Sequence, residues 1–318
     1  MKSFTNKEFQ LYKKVLKLTQ FGVLRSMTFF LEQNYPKENV YTTEKFVLAI
    51  GNIPICVCAH ADTVFPTPPT EVYYDREENV IWSPQGAGHD DRAGIMAIIQ
   101  LISSGYHPHI IISTDEEIGC VGAIALSQIK CPFPDLRYII QLDRRGPDDC
   151  VFYYNNNRDF VNYIESFGFV EAKGTFTDIV KYCPEWNVSG VNLSIGYEDE
   201  HTYVERLFVS HYFNTLNKVK KMLDNPPKKK FEYIPMPIAK PGSFFKKLSG
   251  KVCTCDKCQN TVSEEDVYPI KSYNHKYKDF CIDCMMEGVN WCVICNEPFE
   301  CVDPSQSLCQ DCRKEYKK

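Results

Sequence analysis

IMAIIQLI (95–102), HIIIS (109–113), VGAIALSQI (121–129) and RYIIQL (137–142) follow one another along the chain. The first and third are apolar runs of helical character. The second and fourth are short, β-branched and strand-like. The same alternation continues downstream: DFVNYIES (159–166) reads as helix, GVNLSIG (190–196) as strand, and VERLFVSHYFNTLNKVKKML (204–223) as one long helix. Upstream, KFVLAI, IPICVC, EVYYD and NVIW are strand-like between residues 45 and 82, with GN and REEN as turns. Residues 1–35 read as mostly helical, with Leu11, Val15, Leu16 and Leu18 along one side. Such alternation predicts an α/β fold: a mixed, mostly parallel sheet with helices on both faces.

The chain has 318 residues, enough for one large domain or two ordinary ones, and 44% are apolar, enough for a sizeable core. No run approaches the roughly 18 apolar residues of a membrane helix. The start, MKSFTNKEFQ, has no apolar stretch after its lysine, so no secretory signal is expected. Net charge is −5, from 36 Lys and Arg against 41 Asp and Glu, which gives no general pull toward nucleic acid or anionic lipid. The 16 cysteines are uneven: six lie in residues 1–250 and ten in 251–318, mostly as C-x-x-C pairs. Without a signal peptide such pairs point to zinc in a reducing compartment, the cytoplasm.

Four predicted strands each run into acids or histidine. ICVCA leads to His60 and Asp62. HIIIST leads to Asp115, Glu116 and Glu117. RYIIQL leads to Asp143, and GVNLSIGY to Glu198, Asp199, Glu200 and His201. Ligand sites of open α/β sheets lie outside the carboxyl ends of the strands, so these groups are expected at one rim. Asp90 and Asp91, in GAGHDDRAG, open a helix, where one of them serves as a cap. Crowded carboxylates repel unless cations hold them. Two histidines with three carboxylates form a fair ligand set for two zinc ions, and a further carboxylate beside them would serve as base for an activated water. Arg144 and Arg145 read as a solvated pair or as a grip for a substrate carboxylate. Asp178 reads equally as a helix cap or a group near the substrate amine. His89 is placed at the site's mouth; His107, His109 and His211 are read as structural or solvent-facing.

Taken in order, H-A-D-T at 60–63, A-G-H-D-D-R-A-G at 87–94, D-E-E-I-G at 115–119, Q-L-D at 141–143 and H-T-x-x-E at 201–205 resemble the motifs of the zinc exopeptidase superfamily. That superfamily includes leucyl-type aminopeptidases, tripeptidases, glutamate carboxypeptidases, aminoacylases and desuccinylases. The resemblance covers roughly residues 45–223. It implies that His60 and Asp143 bind one catalytic zinc, Glu117 and His201 a second, and that Asp90 bridges them. Asp62 would orient His60, and Glu116 would be general base and acid. The implied activity is hydrolysis of a peptide or N-acyl amide bond, as in aminopeptidase-like exopeptidases. The 57 residues between Asp143 and His201 leave no room for the lid of carboxypeptidases and aminoacylases, so the domain resembles the compact aminopeptidases.

The organisation expected is a catalytic domain over 1–224, a linker over 225–250 and a cysteine-rich domain over 251–318. The linker carries five prolines and six lysines. In the tail, Cys255 and Cys258 stand 22 residues before Cys281 and Cys284, and Cys292 and Cys295 stand 13 residues before Cys309 and Cys312. Both sets have zinc-ribbon spacing and imply two structural zinc ions. The tail holds 9 Lys and Arg against 12 Asp and Glu. That balance disfavours nucleic acid and favours a protein partner. A rival reading is a ribbon adaptor carrying a retired hydrolase domain; Glu116 speaks against it, because every catalytic role is filled.

Overall fold

The computed structural model describes residues 2–174, 176–236, 252–259, 261–263, 267–271, 277–281, 289–291 and 298–300. The chain divides into two compact units, Met1–Pro237 and Ile238–Lys318.

The first unit begins with α1 (Asn6–Leu16) and α2 (Gln20–Asn34), then β1 (Val40–Thr42), β2 (Phe46–Ala49) and β3 (Ile53–His60). After β4 (Tyr73–Asp75) and β5 (Val80–Trp82) come α3 (His89–Ser103), β6 (Pro108–Ser113), α4 (Val121–Ser127) and β7 (Tyr138–Arg144). Next are β8 (Asp149–Val151), α5 (Arg158–Glu165), β9 (Val170–Glu171), α6 (Ile179–Glu185) and β10 (Gly190–Ser194). The unit continues through β11 (Tyr197–Glu198), β12 (Arg206–Phe208) and α7 (Val209–Asp224).

Eight strands form the main sheet in the order β1-β2-β6-β3-β7-β10-β8-β9. Its centre, β6-β3-β7-β10, is parallel, and antiparallel pairs flank it, as the alternation of elements predicts. Period-two geometry sends alternate side chains to opposite faces. On β3, Ile55, Val57 and Ala59 join the core with α1, α2, α3, α5 and α7, while Cys56 and Cys58 join the core with α4 and α6. Both faces are therefore covered, which explains the near-continuous apolar run of these strands.

Local chemistry starts the helices as expected. Thr5 and Glu8 form a reciprocal capping box on α1, and the Thr19 hydroxyl accepts the Gly22 N–H at α2. Two details differ from the sequence reading. Leu11 is exposed, and the buried stripe of α1 is Tyr12, Val15 and Leu16, joined by Phe4 ahead of the helix. Phe4 sits edge-on to Tyr212 at 5.3 Å and Phe213 at 5.2 Å on α7. Residues 206–208 are not helix, because they pair with β5 and β11 in a second, four-stranded sheet, β11-β12-β5-β4.

The compact unit also runs on past Asp224. Phe231 N–H donates to the Arg137 carbonyl (2.9 Å), and the Phe231 carbonyl accepts the Ser189 N–H (2.8 Å). The Phe231 ring packs on Phe160 and Tyr163. Residues 225–236 therefore form a strap bound across the first unit, where the composition suggested a linker.

In the second unit, β13 (Val252–Thr254) pairs with β14 (Thr261–Ser263), and β15 (Val267–Lys271), β16 (Tyr277–Cys281), β17 (Val289–Trp291) and β18 (Pro298–Glu300) make a four-stranded sheet. Cys255 is buried and Cys258 exposed just after β13, and Cys281 ends β16. Cys284, Cys292, Cys295, Cys309 and Cys312 lie outside the described residues. Among the described residues, no helix is long and apolar enough to cross a membrane.

Candidate active site

The rim at the carboxyl ends of β3, β6, β7 and β10 gathers the residues singled out from the sequence. β3 delivers His60, which is 1% exposed. Its Nε2 lies 3.0 Å from Asp90 Oδ1 and 3.5 Å from Asp143 Oδ1. His201 approaches from the loop after β11, its Nε2 3.2 Å from Asp90 Oδ2 and 3.1 Å from Glu117 Oε2. Asp90 thus presents one carboxylate oxygen to each imidazole. His60, Asp90 and Glu117 bring ligand-type atoms within 4.8 Å of one another, as do His60, Asp91 and Asp143.

Asp62 explains how three of these groups hold register. Its Oδ1 lies 3.2 Å from His60 Nδ1, and its two oxygens accept the backbone N–H groups of Glu116 and Glu117 at 3.0 Å each. One side chain fixes both the His60 ring and the turn that carries the acid pair. Asp115 faces elsewhere: it accepts Gln20 Nε2 and pairs with Lys45. Asp91 is committed to backbone, its oxygens accepting the N–H groups of His60 (3.2 Å) and Gly94 (2.8 Å). That is the cap expected of one of the two aspartates, and it leaves Asp90 facing the imidazoles.

Several supporting residues carried no role in the sequence reading. Gln141 Nε2 and Thr177 Oγ1 each donate to Asp143 Oδ2 at 2.9 Å, and the Tyr197 hydroxyl donates to Oδ1 at 3.1 Å. Glu205, wholly buried, accepts the N–H groups of Gly88 (2.6 Å) and Asp90 (2.9 Å). It lies four residues after His201 and ties the His201 loop to the Asp90 loop. The H-T-x-x-E pattern contained that signal.

Two expectations are corrected. His89 does not line the mouth; it is fully buried, with Nδ1 2.7 Å from the Tyr12 hydroxyl and Nε2 donating to the Ile81 carbonyl (2.9 Å). Asp178 neither caps α6 through its side chain nor lies exposed to a substrate; it is buried and accepts the Ser113 hydroxyl.

The electrostatics show a site short of positive charge. Burial pushes the Glu116 carboxyl up to about 9, with Asp143, Asp178 and Glu117 pushing the same way against His60. Burial and the neighbouring Asp90 raise Asp143 to about 7. His201 rises to about 11 through its bonds to Asp90 and Glu117. Burial opposes charge on His60, but Asp143, Asp62 and Asp90 outweigh it and hold its pKa well above the ordinary value. Glu117 Oε1 is buried with no hydrogen-bond partner among the described residues. An orphaned carboxylate oxygen among facing acids and imidazoles fits a divalent cation, and the N/O donor set fits zinc.

No family model and no curated protein matches the sequence. Solved structures do match. A TET aminopeptidase from a marine sediment archaeon, Thaumarchaeota archaeon, aligns with a TM-score of 0.54 at 13% identity, over 70% of this chain and 97% of that one. A tripeptidase from Staphylococcus aureus aligns with 0.53 at 12% identity, over 69% of this chain and 98% of that one. The aminopeptidase PepT from Bacillus cereus aligns with 0.50 at 14% identity, over 68% and 97%. The first unit therefore shares the α/β fold of these solved peptidases. At these identities the likeness is one of fold.

Proposed function

We propose that the chain is a zinc-dependent hydrolase of peptide or N-acyl amide bonds, an aminopeptidase-like exopeptidase. The observation that carries the reading is the Asp90 carboxylate set between His60 and His201, at 3.0 and 3.2 Å, beside the Glu116–Glu117 pair. The fold shared with solved peptidases supports it. In this reading His60 and Asp143 hold one zinc, Glu117 and His201 the other, and Asp90 both. Bound zinc supplies Lewis acidity, which polarises the scissile carbonyl and acidifies water. Asp62 keeps the His60 ring in one orientation, and Gln141, Thr177 and Tyr197 keep Asp143 in one. Glu116 takes the proton of the attacking water at its carboxylate and returns it to the leaving amine. Its burial favours the protonated form between those two transfers. The cysteine pairs of the second unit hold two structural zincs in this proposal, and that unit docks a protein partner. The buried thiols Cys56, Cys58 and Cys183 suit a reducing cytoplasm.

The test replaces the base and keeps its shape. Glu116→Gln in the full chain should lower turnover of aminoacyl or N-acyl chromogenic amides by about 10²–10⁴-fold. Zinc content by elemental analysis should be unchanged. Wild-type turnover in that variant would mean the proton is carried elsewhere.

A further inference from the structure

The sheet edge next to Asp143 is built in a way the hydrolase reading does not use. Between the Gln141–Asn192 and Arg144–Ser194 pairings of β7 and β10, three steps on β7 match two on β10. This bulge breaks the strand's alternation. In a regular strand Asp143 and Arg144 would point to opposite faces, whereas here both line one cleft of about 370 Å³, together with Glu116, Glu117 and Arg145. Among the described residues no other Lys or Arg lines that cleft.

The two arginines sit on a fixed backbone. The Arg144 carbonyl accepts the Ile195 N–H (2.8 Å), the Arg145 carbonyl accepts the Ser194 hydroxyl (2.6 Å), and the Gly146 N–H donates to Tyr197 (2.8 Å). Their side-chain partners are loose by comparison. Arg144 reaches the half-exposed Asp149 at 3.3 Å, and its Nε is buried with no partner among the described residues. Arg145, 58% exposed, reaches Glu200 at 2.9 Å. The exposed Arg145 pair is worth little and leaves its guanidinium to a ligand carboxylate, while the buried Arg144 Nε has a donor to offer one. Asp90, Glu117, Asp143 and His201, the metal-holding residues of the hydrolase reading, line the same cleft, so the two arginines offer a second group of a substrate a place beside the reacting one.

Resting on the hydrolase reading, we infer that Arg144 and Arg145 bind the free carboxylate of a short substrate, one residue beyond the scissile amide: a dipeptide or an N-acyl amino acid. Asp143, Arg144 and Arg145 line one cleft, so a substrate held at both places is a short one. A cleft of this volume is at the small end of ligand sites, which suits such a molecule.

The experiment measures binding rather than turnover, in the zinc-loaded full chain carrying Glu116→Gln. Leu-Leu and Leu-Leu-amide are titrated by calorimetry. The acid should bind about 10- to 100-fold more tightly than the amide, the usual worth of charge-assisted hydrogen bonds. Adding Arg145→Ala or Arg144→Gln should bring the ratio toward one while affinity for the amide persists. Where Arg144→Gln disturbs the fold and weakens both ligands, the exposed Arg145→Ala decides. Equal binding of acid and amide, no binding of either, or an unchanged ratio in Arg145→Ala overturns the inference. Hydrolysis of Leu-Leu is read separately with Glu116 intact. Its absence there counts against the hydrolase reading and leaves the acid-to-amide ratio to stand by itself.

Discussion

Lowering the pH from about 7 to about 5 should destabilise the first unit through His89. This ring is fully buried and hydrogen-bonded at both nitrogens, to the Tyr12 hydroxyl and the Ile81 carbonyl. Its burial pushes the pKa down to about 3. The unfolded chain binds a proton at His89 below about pH 6.5, whereas the folded chain refuses it until about pH 3. Stability is therefore complete above about pH 6.5 and is lost as the pH falls through that window. Each pH unit of mismatch is worth about 1.4 kcal/mol, so the loss at pH 5 is about 2 kcal/mol. His109, lowered by burial to about 4, acts in the same direction over the upper part of the window. The assay is urea unfolding followed by helical circular dichroism, which reports the first unit because every helix among the described residues belongs to it. His89→Gln lowers stability at both pH values, but the difference between them should shrink by about 2 kcal/mol relative to wild type. Equal pH sensitivity in the two proteins would refute the reasoning, since carboxylate titration and metal release are common to both.

Gly94→Ala should be strongly destabilising, by more than about 2 kcal/mol, because overpacking at a rigid site leaves no room to relax. A Cβ there would stand 2.5 Å from the Asp91 carboxylate oxygens and 2.7 Å from the Leu142 carbonyl, and a melting temperature equal to wild type would contradict it. A fragment ending at residue 237 should be more stable than one ending at 224 by about 3–5 kcal/mol, the cost class of removing a buried Phe. The difference rests on Phe231 and its backbone bonds to Arg137 and Ser189, and equal denaturation midpoints for the two fragments would dismiss the strap.

The rim was legible because strands announce themselves by β-branched runs, and the residue after each run is fixed in space by the sheet. His60, Glu116, Glu117 and Asp143 could be placed that way, since their position depends on local pattern and one topological rule. His201 follows a strand-like run as well, while the place of Asp90 between the imidazoles came from the ordered motifs. What the pattern hid depends on distant partners. His89 stands beside Asp90 in sequence, yet α1 folds over it and removes it from the mouth. The strap at 225–236 looks like a linker by composition, because its prolines and lysines mask two aromatic anchors, Phe231 and Tyr233. Arg144 would be assigned by alternation to the far face of the sheet; the bulge that brings it to the cleft arises from how β10 pairs with β7 and leaves no mark in either strand's own sequence.

The Phe4 contact bears on how the protein is made. Tyr212 and Phe213, against which the Phe4 ring packs, leave the ribosome roughly 200 residues after it. At typical translation rates that interval is roughly ten to forty seconds. Throughout it the Phe4 ring has Tyr12 and Tyr74 of its aromatic neighbours but not α7, the last helix among the described residues, which completes its cover. A substitution at Phe4 should therefore be felt late in folding of the first unit, at closure of its core around α7.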